Sequence, residues 1–202
     1  MAIRLKTRWH RSSRSERNRE GSRRAKSRED VAGAVAFNIW RLAKEGFTRM
    51  EKEGFKFAED RQAIDVIGEF CIFMLHIVDR MLFGKVAEEE RGPLINAIAL
   101  HLAQTMEDNQ QDLLGAGDYR AAFIDKLNDR LSNYAECGFD AEGPGYDFKR
   151  YLGQKVAEVM AASDDKWVVE QVMDIEAPEL AGRIWPMVRD TLGVKDAVKE
   201  EK

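Results

Sequence analysis

The sequence predicts an all-α protein: a single bundle of about six mostly antiparallel helices behind a disordered basic N-terminal arm. Three observations lead there. Apolar residues recur at helical spacing in one segment after another. Only four prolines interrupt 202 residues, and runs of β-branched residues are few. The most apolar stretch, IDVIGEFCIFMLHIVDRMLF at Ile64–Phe83, has apolar positions around most of its helical circumference, as a helix buried on several sides does. The other helices are expected to pack around it.

Composition sets the class. Hydrophobic residues make up 44% and charged residues 34%, which suits a folded globular chain. Charge is uneven: residues 1–28 hold eleven Lys or Arg against two Glu, a net +9, which leaves −13 on residues 29–202 of a chain that is −4 overall. That shift divides the chain into a basic arm (1–28), a bundle domain (29–192) and a charged C-terminal tail (193–202). The unbroken apolar run within the central stretch is only Phe70–Val78, with charge on both sides. A membrane span needs roughly 20 apolar residues, so no membrane partner is expected. Of two cysteines, Cys71 reads as a small buried hydrophobe, and neither it nor Cys137 demands a disulfide. A reducing cytoplasm is the expected compartment, and no secretory apolar region lies near the N-terminus.

The elements follow in order. Ser27 three residues before Asp30 is a variant capping box. It opens a first helix over 29–53 whose face is Ala32, Val35, Ala36, Ile39, Trp40, Ala43, Phe47 and Met50. Gly54 is the stop, and Phe55 and Phe57 form a packed link to the central helix at 60–84. A third helix is predicted to start at Pro93, which fits a first-turn position, and to end at Gly115. The fourth, 118–137, has the cleanest amphipathic stripe: Phe123, Ile124, Leu127, Leu131 and Tyr134. GFDAEGPGY at 138–146 reads as a connecting loop without the context of a phosphate cradle. A fifth helix covers 147–162. Ser163 or Asp164 caps a sixth to Ile175, and Pro178 opens a last piece to Leu192 that Pro186 should kink. No strand is expected.

The polar residues of the central helix carry the functional question. Gln62, Asp65, Glu69, His76 and Arg80 fall in a stripe about 60° wide, with Asp79 at its edge. One reading makes the stripe a wet seam in which Asp79 orients His76 and Glu69 meets a Lys or Arg. The other brings His76 together with His101 of the third helix. With Glu69 and Asp79 they would form a ligand site of mixed nitrogen and oxygen donors, of a kind that zinc or iron accepts. The chain contains no Glu-x-x-His, so the two-metal bundle pattern is absent. Neither a metal centre nor a cofactor is predicted. Cys71 and His76 are five residues apart and point about 140° from each other, and no Gly-x-Ser-x-Gly occurs. Thiol and serine hydrolysis are therefore not expected.

In the arm, Arg8, Trp9, Arg11, Arg23 and Arg24 are the candidates for contact with nucleic acid or an acidic partner. The function predicted from sequence is a non-enzymatic scaffold or protein-interaction module, with a second copy of the chain (a homodimer) among its partners. The alternative is a ligand- or metal-binding bundle, enzymatic or not, around Glu69, His76, Asp79 and His101.

Overall fold

The computed structural model describes residues 27–161 and 166–193. The basic arm with its five candidate residues, most of the charged tail, and the Ser163 and Asp164 caps lie outside them. Six long helices build one bundle: α1 (Arg28–Lys52), α2 (Asp60–Leu82), α3 (Glu88–Leu114), α4 (Tyr119–Glu136), α5 (Tyr146–Val159) and α7 (Ala177–Leu192). A four-residue helix, α6 (Val168–Gln171), and a π turn (Val172–Glu176) lead into α7. Among the described residues no helix is long and apolar enough to cross a membrane.

α2 is the centre. It packs against α1, α3, α4, α5 and α7, and from Gln62 to Val78 every residue but Asp65 is buried. Each fully buried Ile, Phe or Met on it contributes about 1.5–3 kcal/mol of transfer free energy. α1 begins with the expected capping box: the Ser27 hydroxyl accepts from the Asp30 amide at 3.1 Å, and the Ser27 amide donates back to the Asp30 carboxylate at 3.3 Å. Phe47 and Phe57 pack with centroids 4.5 Å apart and close the α1–α2 corner.

Most neighbours are antiparallel, as expected. Arg183 of α7 pairs with Glu45 of α1 at 2.6 Å, and Arg49 with Glu176 at 2.7 Å, so these two helices run in opposite senses. Gln62 of α2 bonds the Val159 carbonyl at the end of α5. Against α2, α4 runs the other way. Asp65 meets Lys126, Glu69 meets Arg130, and Arg80 meets the Tyr134 and Ala135 carbonyls, so residue numbers rise together and α4 runs parallel to α2. Two short links with α3 between them force that direction.

Three expectations change. α3 starts at Glu88, and Pro93 lies inside it. The first turn is held by the Ala87 carbonyl, which accepts from the Glu90 and Arg91 amides, and by Arg91 bonding Glu88. Gly92 and Pro93 are solvent-exposed, where water can meet the carbonyl that Pro93 leaves without an amide. The 138–146 loop contains a minimal antiparallel ladder, Phe139–Asp140 against Gly143–Pro144. The Asp140 side chain accepts from the Glu142 amide at 2.8 Å, and Gly143 takes φ +115°, a turn a glycine makes without strain. Finally, the break expected before Pro178 is a π turn. The Ala177 amide reaches back five residues to the Val172 carbonyl, and the helical run continues past Pro178 into α7.

α5 and α6 meet at very close range. A Cβ on Gly153 would lie 2.9 Å from the Val169 carbonyl oxygen, whereas Gly182 on the exposed side of α7 has nothing within 4 Å among the described residues. Gly153→Ala should cost about 1–3 kcal/mol through overpacking, and Gly182→Ala should be neutral or stabilising by up to about 1 kcal/mol. Urea denaturation of both variants checks the pair; equal effects would show that the α5–α6 contact yields easily.

Candidate functional site

The polar stripe of α2 is divided among several partners. Glu69, fully buried, takes the Arg130 guanidinium at 3.0 and 3.3 Å, with the Lys126 ammonium 4.0 Å away. Burial works against the charge on Arg130. The hydrogen bond and charge of Glu69 outweigh it and hold the guanidinium above its ordinary pKa. Lys126 also meets Asp65 at 3.2 Å, and Arg80 caps the last carbonyls of α4. Glu69 therefore meets a cation, as the seam reading expects. Asp79 does not orient His76; it pairs with Arg91 of α3, which also holds Glu88 at 2.8 and 2.9 Å.

His101 does not converge on His76. Its Nε2 lies 2.7 Å from a Glu29 carboxylate oxygen in the first turn of α1. The α3 residues near His76 include Ala99, and two residues further along a helix turns about 200° to the other side. The four-residue site envisaged from sequence is thus split into a tie to α4 (Glu69), a tie to α1 (His101) and a remaining pair, His76 with Asp79. Among the described residues no group of three or more His, Cys, Asp or Glu side chains is gathered to hold a metal ion.

The remaining pair sits in a cleft of about 320 Å³ walled by three helices. α2 supplies the floor with Leu75, His76 and Asp79. α3 supplies Arg91, Gly92, Ile95, Asn96 and Ala99 at turn-by-turn spacing, and α4 supplies Leu127, Asn128 and Leu131. α3 and α4 form an antiparallel hairpin pinned near its closed end, where Arg120 bonds Gln104 at 3.1 Å. Toward its open end the cleft lies over the His76 turn of α2. The apolar stripe expected on α4 is accordingly only partly used: Phe123 and Tyr134 are buried, while Leu131 is 51% exposed at the rim. A second hollow of about 490 Å³ shares Asp79 and Arg91 and extends past Arg80, Phe83 and Phe139. A further hollow of about 480 Å³ has α1 alone as its described wall, and its Arg41 and Arg49 are already tied to Glu45 and Glu176.

His76 is the unusual member. It is 6% exposed, its ring lies 4.8 Å from that of Tyr134, and its Nε2 has no hydrogen-bond partner among the described residues. Burial first, and the nearby Arg80 charge second, lower its pKa to about 4, so at neutral pH it offers one donor and one acceptor as a neutral imidazole. Both cysteine thiols are held in the protonated form. Burial pushes the Cys71 thiol far up, and the Cys137 thiol, also raised chiefly by burial, donates to the Asn133 carbonyl at 3.3 Å. Reading the sequence missed Arg91, Asn96 and Asn128, because a lone Arg or Asn on a helix carries no signal of facing a cleft. The α4 stripe was the one legible hint, since it is longer than the interface that covers it.

The fold and the cleft define the class: a helical bundle with a lateral, three-helix cleft floored by a neutral buried histidine. Comparison of the chain with known protein families, with curated proteins and with solved structures gives no match.

Two outcomes follow from these side chains. Arg130→Met leaves Glu69 buried with only a distant ammonium and should cost about 3 kcal/mol in chemical denaturation; Glu69→Leu combined with Arg130→Met should recover more than half of it. For His76 the folded pKa of about 4 lies below the ordinary 6.5, so the unfolded chain binds more protons between those values. The contribution is intact above pH 6.5 and lost as pH falls, by about 3 kcal/mol at pH 4. His76→Leu should remove that much of the stability lost between pH 7 and pH 4; an unchanged pH profile would show that the imidazole titrates normally.

Proposed function

We propose that this protein is a non-enzymatic, small-molecule-binding helical bundle whose site is the cleft between α2, α3 and α4. The observation that carries the reading is His76: a buried imidazole without a hydrogen bond, at the floor of a concave site that has apolar walls and a polar rim. Buried polar groups in folded proteins are normally paired, and Nε2, which has no accessible surface as the ring stands, gains its missing partner when the imidazole turns it toward a ligand in the cleft. The volume falls in the lower part of the range for small-molecule sites.

The scaffold reading has less support. It rests on an exposed apolar face, and among the described residues no two of the large exposed apolar side chains (Phe83, Leu100, Leu131, Tyr146, Trp167 and Ile175) share an element. Two of them, Leu131 and Phe83, border the cleft and its extension. Two free cysteines support a reducing, cytoplasmic setting.

A fluorine-NMR fragment screen tests the proposal. Hits should compete for one site and be lost in Ala99→Phe, which fills the floor, and in Asn96→Trp, which narrows the rim at an exposed position that cannot disturb the core. Hits that survive both substitutions, or no hits at all, would overturn it.

A further inference from the structure

We infer that the cleft selects an uncharged ligand, an amide or lactam on a small apolar body, and discriminates against both carboxylates and ammonium ions. The inference rests on the proposed binding function and adds the chemical class of the ligand.

The argument is one of charge and hydrogen-bond capacity. Among the described residues the one cation lining the cleft is Arg91, and its charge is shared between two carboxylates. Its Nε and one terminal nitrogen bond the two Glu88 oxygens, its other terminal nitrogen bonds Asp79, and its plane lies over the Phe83 ring with 5.4 Å to the centroid. Arg80, in the adjoining hollow, is committed to two α4 carbonyls, one at 2.5 Å. An incoming carboxylate therefore finds no free guanidinium and meets Asp79 and Glu88. An incoming ammonium must compete with Arg91 for Asp79 and meets the Arg80 charge beside it. Either ion would give up its hydration without gaining a partner, or would have to break the Asp79–Arg91 pair.

A neutral amide fits without that cost. Whichever tautomer His76 takes, the ring nitrogen that a ligand reaches is either a donor or an acceptor, and an amide, which carries both, answers either one. Asn96 and Asn128 stand at opposite walls of the cleft, on α3 and α4. No hydrogen bond engages either side-chain amide among the described residues. Between the histidine and the asparagines lie Leu75, Ile95, Ala99, Leu127 and Leu131, an apolar enclosure for a ring or a branched chain. The site thus has polar groups at floor and rim, apolar walls, and no unpaired formal charge among the described residues.

Three probes of one shape and different charge test this: benzamide, benzoate and benzylamine, titrated into the full chain at pH 7 and followed by NMR of the His76 ring and of the Asn96 and Asn128 side-chain amides. Benzamide should shift all three saturably and bind at least about tenfold more tightly than either ion, the equivalent of one hydrogen bond and its avoided desolvation. His76→Phe should lower benzamide affinity about tenfold or more. If that variant fails to fold, Asn128→Leu, at an exposed rim position, should lower it several-fold instead. Benzoate or benzylamine binding as tightly as benzamide would overturn the ligand class while leaving the cleft as a binding site. No saturable shift from any of the three would overturn the inference, and would overturn the binding function with it only if the fragment screen also misses the cleft.

Discussion

A helix buried on all sides cannot carry a carboxylate unless a cation is fixed beside it, and α2 carries Glu69 at its centre with no exposed surface. An unpaired charge there would cost several kcal/mol. Arg130 answers it, and the answer determines how α4 sits. One turn earlier Lys126 meets Asp65, and further along Arg80 meets the carbonyls that end α4. The successive polar ties hold α4 parallel to α2. Only two of its apolar side chains, Phe123 and Tyr134, are buried. α4 is attached more by its charges than by its hydrophobic stripe.

The cleft follows from that attachment. With its cations turned toward α2, α4 directs Leu127 and Leu131 past the edge of the core and toward α3. The hairpin is held together at its closed end by Arg120 and Gln104 and stands apart at the other. The gap falls over the turn of α2 that carries His76 and Asp79. Asp79 is matched by Arg91 from α3, while His76 stays neutral and unbonded against the Tyr134 ring. A polar seam, where it is fully paired, becomes structure. Where one member is left without a partner, it becomes a place for a ligand.

The same logic recurs at the other end of the bundle. Glu176, also fully buried, sits at the end of the π turn and is held by Arg49 of α1 at 2.7 and 3.1 Å. Burial raises its pKa and the Arg49 charge opposes that shift. The wide turn meets two demands together: it carries the helix past Pro178, which has no amide to donate, and it sets Glu176 against α1. Ion pairs under the surface thus fix which faces α4 and α7 turn inward, while the short links set the direction of α4 and apolar burial around α2 provides most of the stabilisation.

By itself the sequence determined what depends on local chemistry. Helical periodicity identified each long helix, the buried α2 and its apolar faces, and the Ser27–Asp30 cap. Glycines marked the ends of α1, α2, α3 and α4. These features arise from residues within one or two turns of each other, which is the range over which a pattern can be read. The start of α3 was misread because Pro93 resembles a first-turn residue, whereas the Glu88–Arg91 ion pair and the Ala87 carbonyl, six residues upstream of the proline, begin the helix. The tertiary structure alone decided which of the α2 polar residues would be paired. Glu69, Asp65 and Asp79 found cations from α3 and α4, His101 turned to α1, and His76 was left alone beside Asn96 and Asn128. Each of those pairings joins different helices, most of them through residues far apart in the chain, and depends on the direction in which each helix crosses α2, a quantity that no local spacing encodes.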